Sequence, residues 1–568
     1  MCKLTEKNPV WIFIYCLAVL GCNKDSSQDS LETGGDNLPT AQVNANSSAG
    51  VIEPTQSSHP QGAEVQDQAA AAADQIADIQ GDAQAEIKRL FGDWSTPDFA
   101  FFVSGRQFGY LEPCGCTGLT NQKGGLLRRH TLTKTLESLG WKLVKVDAGN
   151  QVRRFGLQPE IKFETTAKTL TEIFNYDAIG FGPDDLRLPA INLVSTLQNL
   201  DVVEEDLTAH PFVSCNVTIF ADFADDSFED DKLISTYKSV STGGNKVCIT
   251  AILGKEHFNA IGSDDLSIRS PEEGIEAVWP KMEKEAAEVN VLVAHTSMDD
   301  TKRIAEKYPF FDLVITAGGA GEPTLKPEII QTGDHTTRIV QVGTKGMYAG
   351  VMAYYSEKKE FRYQRLGVTS AYQDSEQIKT IFKDYQKRVE RQIYANLERS
   401  VVPHPSGATY VGSAACANCH ADAHDVWQEG FAKLGDKVGP HTKATSSLIL
   451  PNERNWVTRK FDPECLACHV TGWNPVEYYP YKTGYLSEND RDLFGNGCEN
   501  CHGPGSLHMA AEENDEETAK YRKQVRVQLA DFEERCMECH DLDNSPDFHV
   551  EGAFEKYWKR IDHSGLKE

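Results

Sequence analysis

Hydrophobic and polar positions along the chain fall into distinct regimes. Between residues 97 and 366, short apolar runs alternate with amphipathic stretches: FAFFVSG, KLVKVDAGN, YDAIGFG, HPFVSCNV, NKVCITAIL, NVLVAHTS, FDLVITAGG and RIVQVG read as strands. Segments near 124–139, 161–175, 189–200 and 272–288 read as helices. Apolar strands alternating with helices predict a layered α/β domain, placed at residues 95–368. Then Ile378, Ile381, Phe382, Tyr385, Val389 and Ile393 recur at helical spacing in a stretch free of Gly and Pro, which predicts one long connecting helix at 373–400. From 405 to 568 the periodicity dissolves into short segments punctuated by Gly and Pro. That region reads as a mostly α, loop-rich domain whose polypeptide buries little apolar surface unaided. The chain is therefore expected to be multidomain.

At the N-terminus, Lys3 and Lys7 precede an unbroken apolar run, Val10 to Leu20, then Gly21 and Cys22. A span across a hydrocarbon core needs roughly 20 residues, so this run reads as the h-region of a signal peptide at 1–22 and predicts export. The VLGC ending resembles the lipobox of bacterial lipoproteins, which implies that Cys22 is lipidated and tethers the chain to a membrane. An ordinary cleavage near Gly21 is the alternative. Residues 23–90 are rich in Ser, Asp, Gln, Asn and Ala and read as a low-complexity tether, with helix formers at its Ala-rich end.

Charge narrows the partners. With 57 Lys+Arg against 84 Asp+Glu, the 568-residue chain carries −27, the wrong sign for neutralising phosphates, so nucleic acid is not an expected partner. Cysteine placement is more telling: eight of 15 lie beyond residue 410, together with ten of 16 histidines beyond residue 400.

Those eight cysteines form four C-x-x-C-H motifs: Cys416, Cys419 and His420; Cys465, Cys468 and His469; Cys498, Cys501 and His502; Cys536, Cys539 and His540. Two cysteines at this spacing can make thioethers to the two vinyl groups of one haem, and the adjacent histidine then ligates the iron. Structural zinc and dithiol redox chemistry also use C-x-x-C, but neither requires the histidine that follows every pair here. Four covalently attached haem c groups are expected. His404, His424, His441, His508, His549 and His563 remain as possible distal ligands.

The run YVGSAACANCHADAHDVW, then HTKA, CLACHVTGW, GCENCHGPGSLH and SPDFHVEGAFEKYWKRIDH, resembles the multihaem cytochrome c family of the cytochrome c-554 type over residues 409–564. The resemblance implies a tetrahaem electron carrier with His420, His469, His502 and His540 as proximal ligands and His441, His508 and His563 as distal ones. In that family one haem can lack a distal protein ligand; His424 and His549 are the spare candidates here.

The middle region resembles the metallophosphoesterase domain of bacterial 5′-nucleotidases through GRQFGYLEPCGC, GGLLRRHTLTKTL, VDAGN, YDAIGFGPDD, NVLVAHTS and DLVITAGGAGEP. The metal-binding positions that the resemblance implies are largely replaced. Arg106, Gln107 and Phe108 stand for D-x-H, Asn150 for an aspartate, Gly182, Pro183 and Asp184 for GNH, and Gly319, Ala320 and Gly321 for the last motif; only His295 matches. Two-metal hydrolysis needs donors that clamp both metals, so a scaffold without catalysis is expected. Cys114 and Cys116 lie just past the first lost motif, and three readings compete: disulfides to Cys215 or Cys248, a soft-metal site with His295, or thiols that exchange electrons with the haems.

The sequence thus predicts an exported, lipid-anchored tetrahaem cytochrome c on the periplasmic side of a bacterial envelope, transferring electrons between periplasmic or membrane redox proteins. Two alternatives belong to other classes. One is an oxidoreductase acting on a small nitrogen or sulfur oxide at an open haem iron; the other is a 5′-nucleotidase-like hydrolase.

Overall fold

The computed structural model describes residues 83–113, 123–154, 156–200, 210–220, 223, 233–429, 441–449, 456–514, 517–542 and 544–566. The leader with Cys22, most of the tether, and Cys114 and Cys116 lie outside the described residues. At the tether's end, helix Ala83–Phe91 buries Ile87 and Phe91 on one side, where Phe91 meets the edges of Trp94 and Trp141 at 5.0 Å each.

Among the described residues, thirteen strands form three sheets. They are β1 (Phe99–Ser104), β2 (Leu143–Asp147), β3 (Ala178–Ile179), β4 (Val217–Ile219), β5 (Lys238–Thr242), β6 (Asn245–Leu253), β7 (Leu266–Ile268), β8 (Val289–His295), β9 (Leu313–Thr316), β10 (Glu328–Thr332), β11 (His335–Gln341), β12 (Tyr348–Tyr355) and β13 (Glu360–Gly367). One sheet runs β13-β12-β1-β2-β3 and the other β10-β11-β9-β8-β6-β5, while β4 and β7 pair apart. Both sheets are mixed: β1 with β2, β2 with edge strand β3, and β6 with β8 run parallel, whereas β12 pairs antiparallel with β1 and β5 antiparallel with β6.

Side-chain alternation shows how the layers stack. Phe99, Phe101 and Val103 of β1 meet Val247, Ile249 and Ala251 of β6 and Val289, Val291 and Val293 of β8 in one core between the sheets. Their alternates point outward: Ala100 and Phe102 pack on helices Leu126–Ser138 and Leu157–Lys168, and Cys248, Leu292 and Ala294 pack on helices Pro271–Lys284 and Met298–Lys307. The result is a four-layer α/β/β/α sandwich. Central strands buried on both faces read as continuous apolar runs rather than alternating ones, which is why they stand out in the sequence.

Three readings differ. The segment HPFVSCNV does not form one strand; Phe212 and Val213 make isolated bridges to Ile179 and Ser235, and β4 begins only at Val217. Strands β5, β7, β10, β12 and β13 were not foreseen, although β12 pairs with β1 along five residues and puts Val351 and Ala353 into the helix-side core. The connecting segment is not a single helix. An α-helix, Glu376–Gln392, capped by Ser375, gives way to a 3₁₀ turn at Tyr394–Arg399. Its α portion buries Ile378, Phe382, Tyr385 and Val389 against the α/β core, whereas the tightened turn aims Leu397 into a different core with Leu448, Leu466, Ala467, Val470, Trp473 and Tyr485. The change of winding lets one segment serve two cores whose apolar directions differ.

That second core is small. Around it, the described residues between 413 and 558 form short helices, among them Ser413–Ala417, Pro463–His469, Cys498–His502 and Leu529–Met537. Among the described residues no helix is long and apolar enough to cross a membrane.

Candidate haem sites

Each C-x-x-C-H motif occupies a helical turn. Cys465 to His469 lies in helix Pro463–His469, which Asp462 caps by accepting from the Glu464 N–H at 3.1 Å, with Pro463 at the first helical position. Cys498 to His502 forms its own helix after Gly497. In the first and fourth motifs the histidine N–H closes a turn onto the first cysteine's carbonyl, His420 to Cys416 at 2.9 Å and His540 to Cys536 at 2.8 Å. This winding brings the two cysteines and the histidine of each motif to one side. None of the eight cysteines is tied up in a disulfide.

The four motifs are packed together in pairs. The thiols of Cys416 and Cys498 interact with each other, as do those of Cys468 and Cys539, and Cys501 acts electrostatically with Cys536. Segments up to 120 residues apart in sequence (536 − 416) therefore share one small volume.

Distant histidines stand opposite motif histidines. The rings of His420 and His508 lie 6.2 Å apart and 25° from parallel, those of His441 and His540 6.2 Å apart, and those of His502 and His563 5.8 Å apart. Two imidazoles ligating one metal from opposite sides, with metal–nitrogen bonds of about 2 Å as in zinc sites, hold their centroids about 6 Å apart. The far side of several rings is anchored: Nδ1 of His469 donates to the Ala444 carbonyl at 2.7 Å, that of His502 to Val525 at 2.9 Å, and that of His563 to Ile561 at 2.8 Å. A donating Nδ1 leaves the lone pair on Nε2, the atom that ligates a metal. Burial depresses the pKa of His469, His502 and His540, and that of His441 falls to about 4, so these rings are held neutral, the form in which imidazole binds iron.

His469 differs. Ser447 lies 3.3 Å from its Nδ1 and the ring is buried, but among the described residues no histidine ring faces it. Neither spare fills the place: His424 stands 5.3 Å from the Trp427 ring, and His549 is exposed and donates to the His540 carbonyl at 2.7 Å.

The donor set fits haem better than a bare ion. Among the described residues no group of three or more His, Cys, Asp or Glu converges to hold a metal. Facing imidazole pairs beside cysteine pairs would suit a haem, which would draw only histidine ligands and thioether bonds from the protein.

A buried carboxylate that no sequence motif singles out ties this region together. Glu499, 3% exposed and inside the third motif, accepts from the N–H groups of Val411, Gly412 and Gly505 at 2.8–3.1 Å. Nothing in its sequence context marks it. Asp462, by contrast, stands in a D-P-E helix-start signal, although it was not among the residues singled out from the sequence.

At the strand ends of the α/β sandwich, the positions of the metallophosphoesterase motifs come together, but they satisfy one another. Arg106 donates to the Gly319 carbonyl at 3.2 Å, the Asn150 amide donates to Asp184 at 3.2 Å, and the Asp184 N–H donates to the Asn150 side chain at 3.0 Å. His295 donates through Nδ1 to the Ala148 carbonyl, and burial drives its pKa down to about 3. Cys215 and Cys248 are buried free thiols, which counts against the disulfide reading; burial pushes the Cys215 thiol up to about 11, an inert core group.

The two parts of the chain touch closely. Lys162 pairs with Glu464 at 2.5 Å, the Arg154 guanidinium lies 3.9 Å over the Tyr478 ring, and Glu112 takes both the Trp456 N–H and an ion pair from Arg459.

Residues 415–503 match the protein family described as cytochrome c554 and c-prime. Cytochrome c-554 of Nitrosomonas europaea is 27% identical over 168 residues, which cover 27% of this chain and 68% of that protein. Among solved structures, a 5′-nucleotidase precursor from Thermus thermophilus is similar at 16% identity and a TM-score of 0.42, covering 54% of this chain and 60% of that one. The NAD nucleotidase of Haemophilus influenzae is similar at 14% identity and a TM-score of 0.41, covering 56% and 64%. The C-terminal region is thus similar to an electron-transfer cytochrome family with covalently bound haem.

Proposed function

We propose that this protein is an exported tetrahaem c-type cytochrome that relays single electrons, with each C-x-x-C-H motif carrying one haem. The observation that carries this reading is the set of histidine pairs: His420 with His508, His540 with His441, and His502 with His563, at 5.8–6.2 Å. In this reading the motif histidine is the proximal ligand and its partner the distal one. Haem supplies the iron that gains and loses the electron; the chain's part is to hold the rings neutral, oriented and close-packed. Dense packing of the motifs supports transfer from one haem to the next.

Partners follow from charge. Residues 401–568 carry 17 basic against 28 acidic side chains, −11 before any haem propionate, so a redox protein with a basic face is the expected docking partner. Export and a lipid anchor at Cys22 rest on the leader sequence. The α/β sandwich is assigned no hydrolysis, because the positions that would hold two metals carry Arg106, Asn150 and Gly319, hydrogen-bonded in place.

One observation favours a second role. His469 lacks a facing imidazole among the described residues, so a haem held by Cys465, Cys468 and His469 would take one histidine from the protein and would leave room for a small nitrogen or sulfur oxide. Electron paramagnetic resonance of the oxidised protein tests both readings. Three low-spin centres and one high-spin centre are expected; four low-spin centres would remove the second role, and fewer than four haems per chain would overturn the first.

A further inference from the structure

The best-built contact between the two parts of the chain converges on one carboxylate. Asp462 is 4% exposed and caps the helix that carries Cys465, Cys468 and His469. One of its oxygens accepts from the Gln158 amide at 2.7 Å and the other from the Gln386 amide at 2.9 Å. Gln158 comes from helix Leu157–Lys168 of the α/β sandwich and Gln386 from the connecting helix, and both are buried. The Gln158 amide also donates to the hydroxyl of fully buried Tyr385, whose surroundings include Asp462, Glu464 and Cys465.

The charges around Asp462 do not cancel it. Glu464 is neutralised by Lys162 at 2.5 Å, and Arg459 is engaged by Glu112. Among the described residues no cation forms an ion pair with Asp462, whose side-chain partners are neutral amides. A buried carboxylate is therefore fixed without an ion-pair partner at the N-terminal end of the helix, with His469 at the other end. Seven residues at 1.5 Å rise separate them by about 10 Å.

We propose that Asp462 is a positioning residue that lowers the reduction potential of the haem at Cys465–His469, and that the α/β sandwich holds it in place through Gln158 and Gln386. The proposal rests on the assignment of a haem to this motif. Reduction of ferric to ferrous iron removes one positive charge, and a nearby carboxylate stabilises the more positive, oxidised form. At about 10 Å and an effective dielectric near 20, the Coulomb interaction corresponds to a factor on the order of ten in the oxidised-to-reduced ratio. On this reading the sandwich, without catalysing hydrolysis, acts on this haem by electrostatics.

The test is a redox titration of the full-length holoprotein, followed by the high-spin resonance expected only from this haem. Asp462→Asn retains a good helix cap while removing the charge. It should raise that haem's midpoint by about one decade in the oxidised-to-reduced ratio, about 59 mV for a one-electron couple, with the other haems unmoved. The double change Gln158→Ala with Gln386→Ala keeps the charge but frees it, and should move the same midpoint up by less. An unmoved midpoint in both variants, or an equal shift of all haems, overturns the tuning role. Peptide mass spectrometry of the same preparation separates the two layers: no haem on Cys465 and Cys468 defeats the underlying assignment instead.

Discussion

Glu499 offers the sharpest test of how the haem region holds its shape. Its carboxylate accepts four contacts from three backbone N–H groups, those of Val411 at 3.0 and 3.1 Å, Gly412 at 2.8 Å and Gly505 at 2.8 Å. It thereby joins the approach to the first motif, the third motif and the loop toward His508. Glu499→Ala strands these three donors in a site that is 3% exposed. Hydrogen bonds to a charged group contribute about 1.5–3 kcal/mol each, and the relief of desolvating the carboxylate, whose pKa burial raises, offsets part of the loss. A net cost of about 3–5 kcal/mol is expected, typical of breaking a buried charged contact. With a slope of about 2 kcal/mol per molar urea, the unfolding midpoint falls by about 2 M. Glu499→Gln keeps the shape but turns an amide N–H toward a backbone N–H, and should cost about half as much. The assay is urea unfolding of the holoprotein followed by the Soret band. A midpoint for the alanine variant within about 0.2 M of wild type would refute the claim that this carboxylate organises the region.

Other outcomes follow from the same structure. Leu466→Ala, at a fully buried position beside Leu397, Leu448 and Trp473, should destabilise the haem region by about 2–5 kcal/mol, read by the same unfolding assay. Burial raises Asp185 from 3.8 to about 7 although it accepts from the N–H groups of Asn150, Gln151 and Gly182. Its contribution is therefore complete below about pH 4 and is lost as pH rises through 7, up to about 4 kcal/mol. Asp185→Asn should flatten the dependence of stability on pH across that window; an unchanged slope would contradict the assignment. On the proposed function, His441→Ala should convert the haem assigned to Cys536–His540 from low-spin to high-spin in electron paramagnetic resonance, and an unaltered spectrum would contradict that pairing. Purified protein supplied with manganese should leave nucleoside monophosphates intact, and phosphate release lost in His295→Ala would reverse the reading of the α/β sandwich.

Much of the architecture was legible because it is written locally. The buried strands β1, β6, β8 and β9 are short apolar runs, and their layered packing follows from burial on both faces. Strand β12 was as apolar but went unread, since nothing nearby marks YAGVMAYY as the antiparallel neighbour of β1. The break at Ile393 was invisible for another reason: residues 373–399 keep helical spacing throughout, and only the two separate cores demand that the winding change. Glu499 reads as an ordinary acidic residue until the chain folds Val411 and Gly505 onto it.

The sequence by itself determined where the groups suited to haem attachment lie, because a C-x-x-C-H motif is complete within five residues and one helical turn brings its three groups together. It also determined which histidines were available, but not their pairing. The facing rings are separated by 88 residues for His420 and His508, 99 for His441 and His540, and 61 for His502 and His563. No local pattern encodes contacts across such spans; the packing of short helices around a small core decides them. The same holds for Asp462, a helix cap whose neutral partners Gln158 and Gln386 arrive from 304 and 76 residues away. A charge's effect depends on which groups surround it, and only the tertiary structure supplies them.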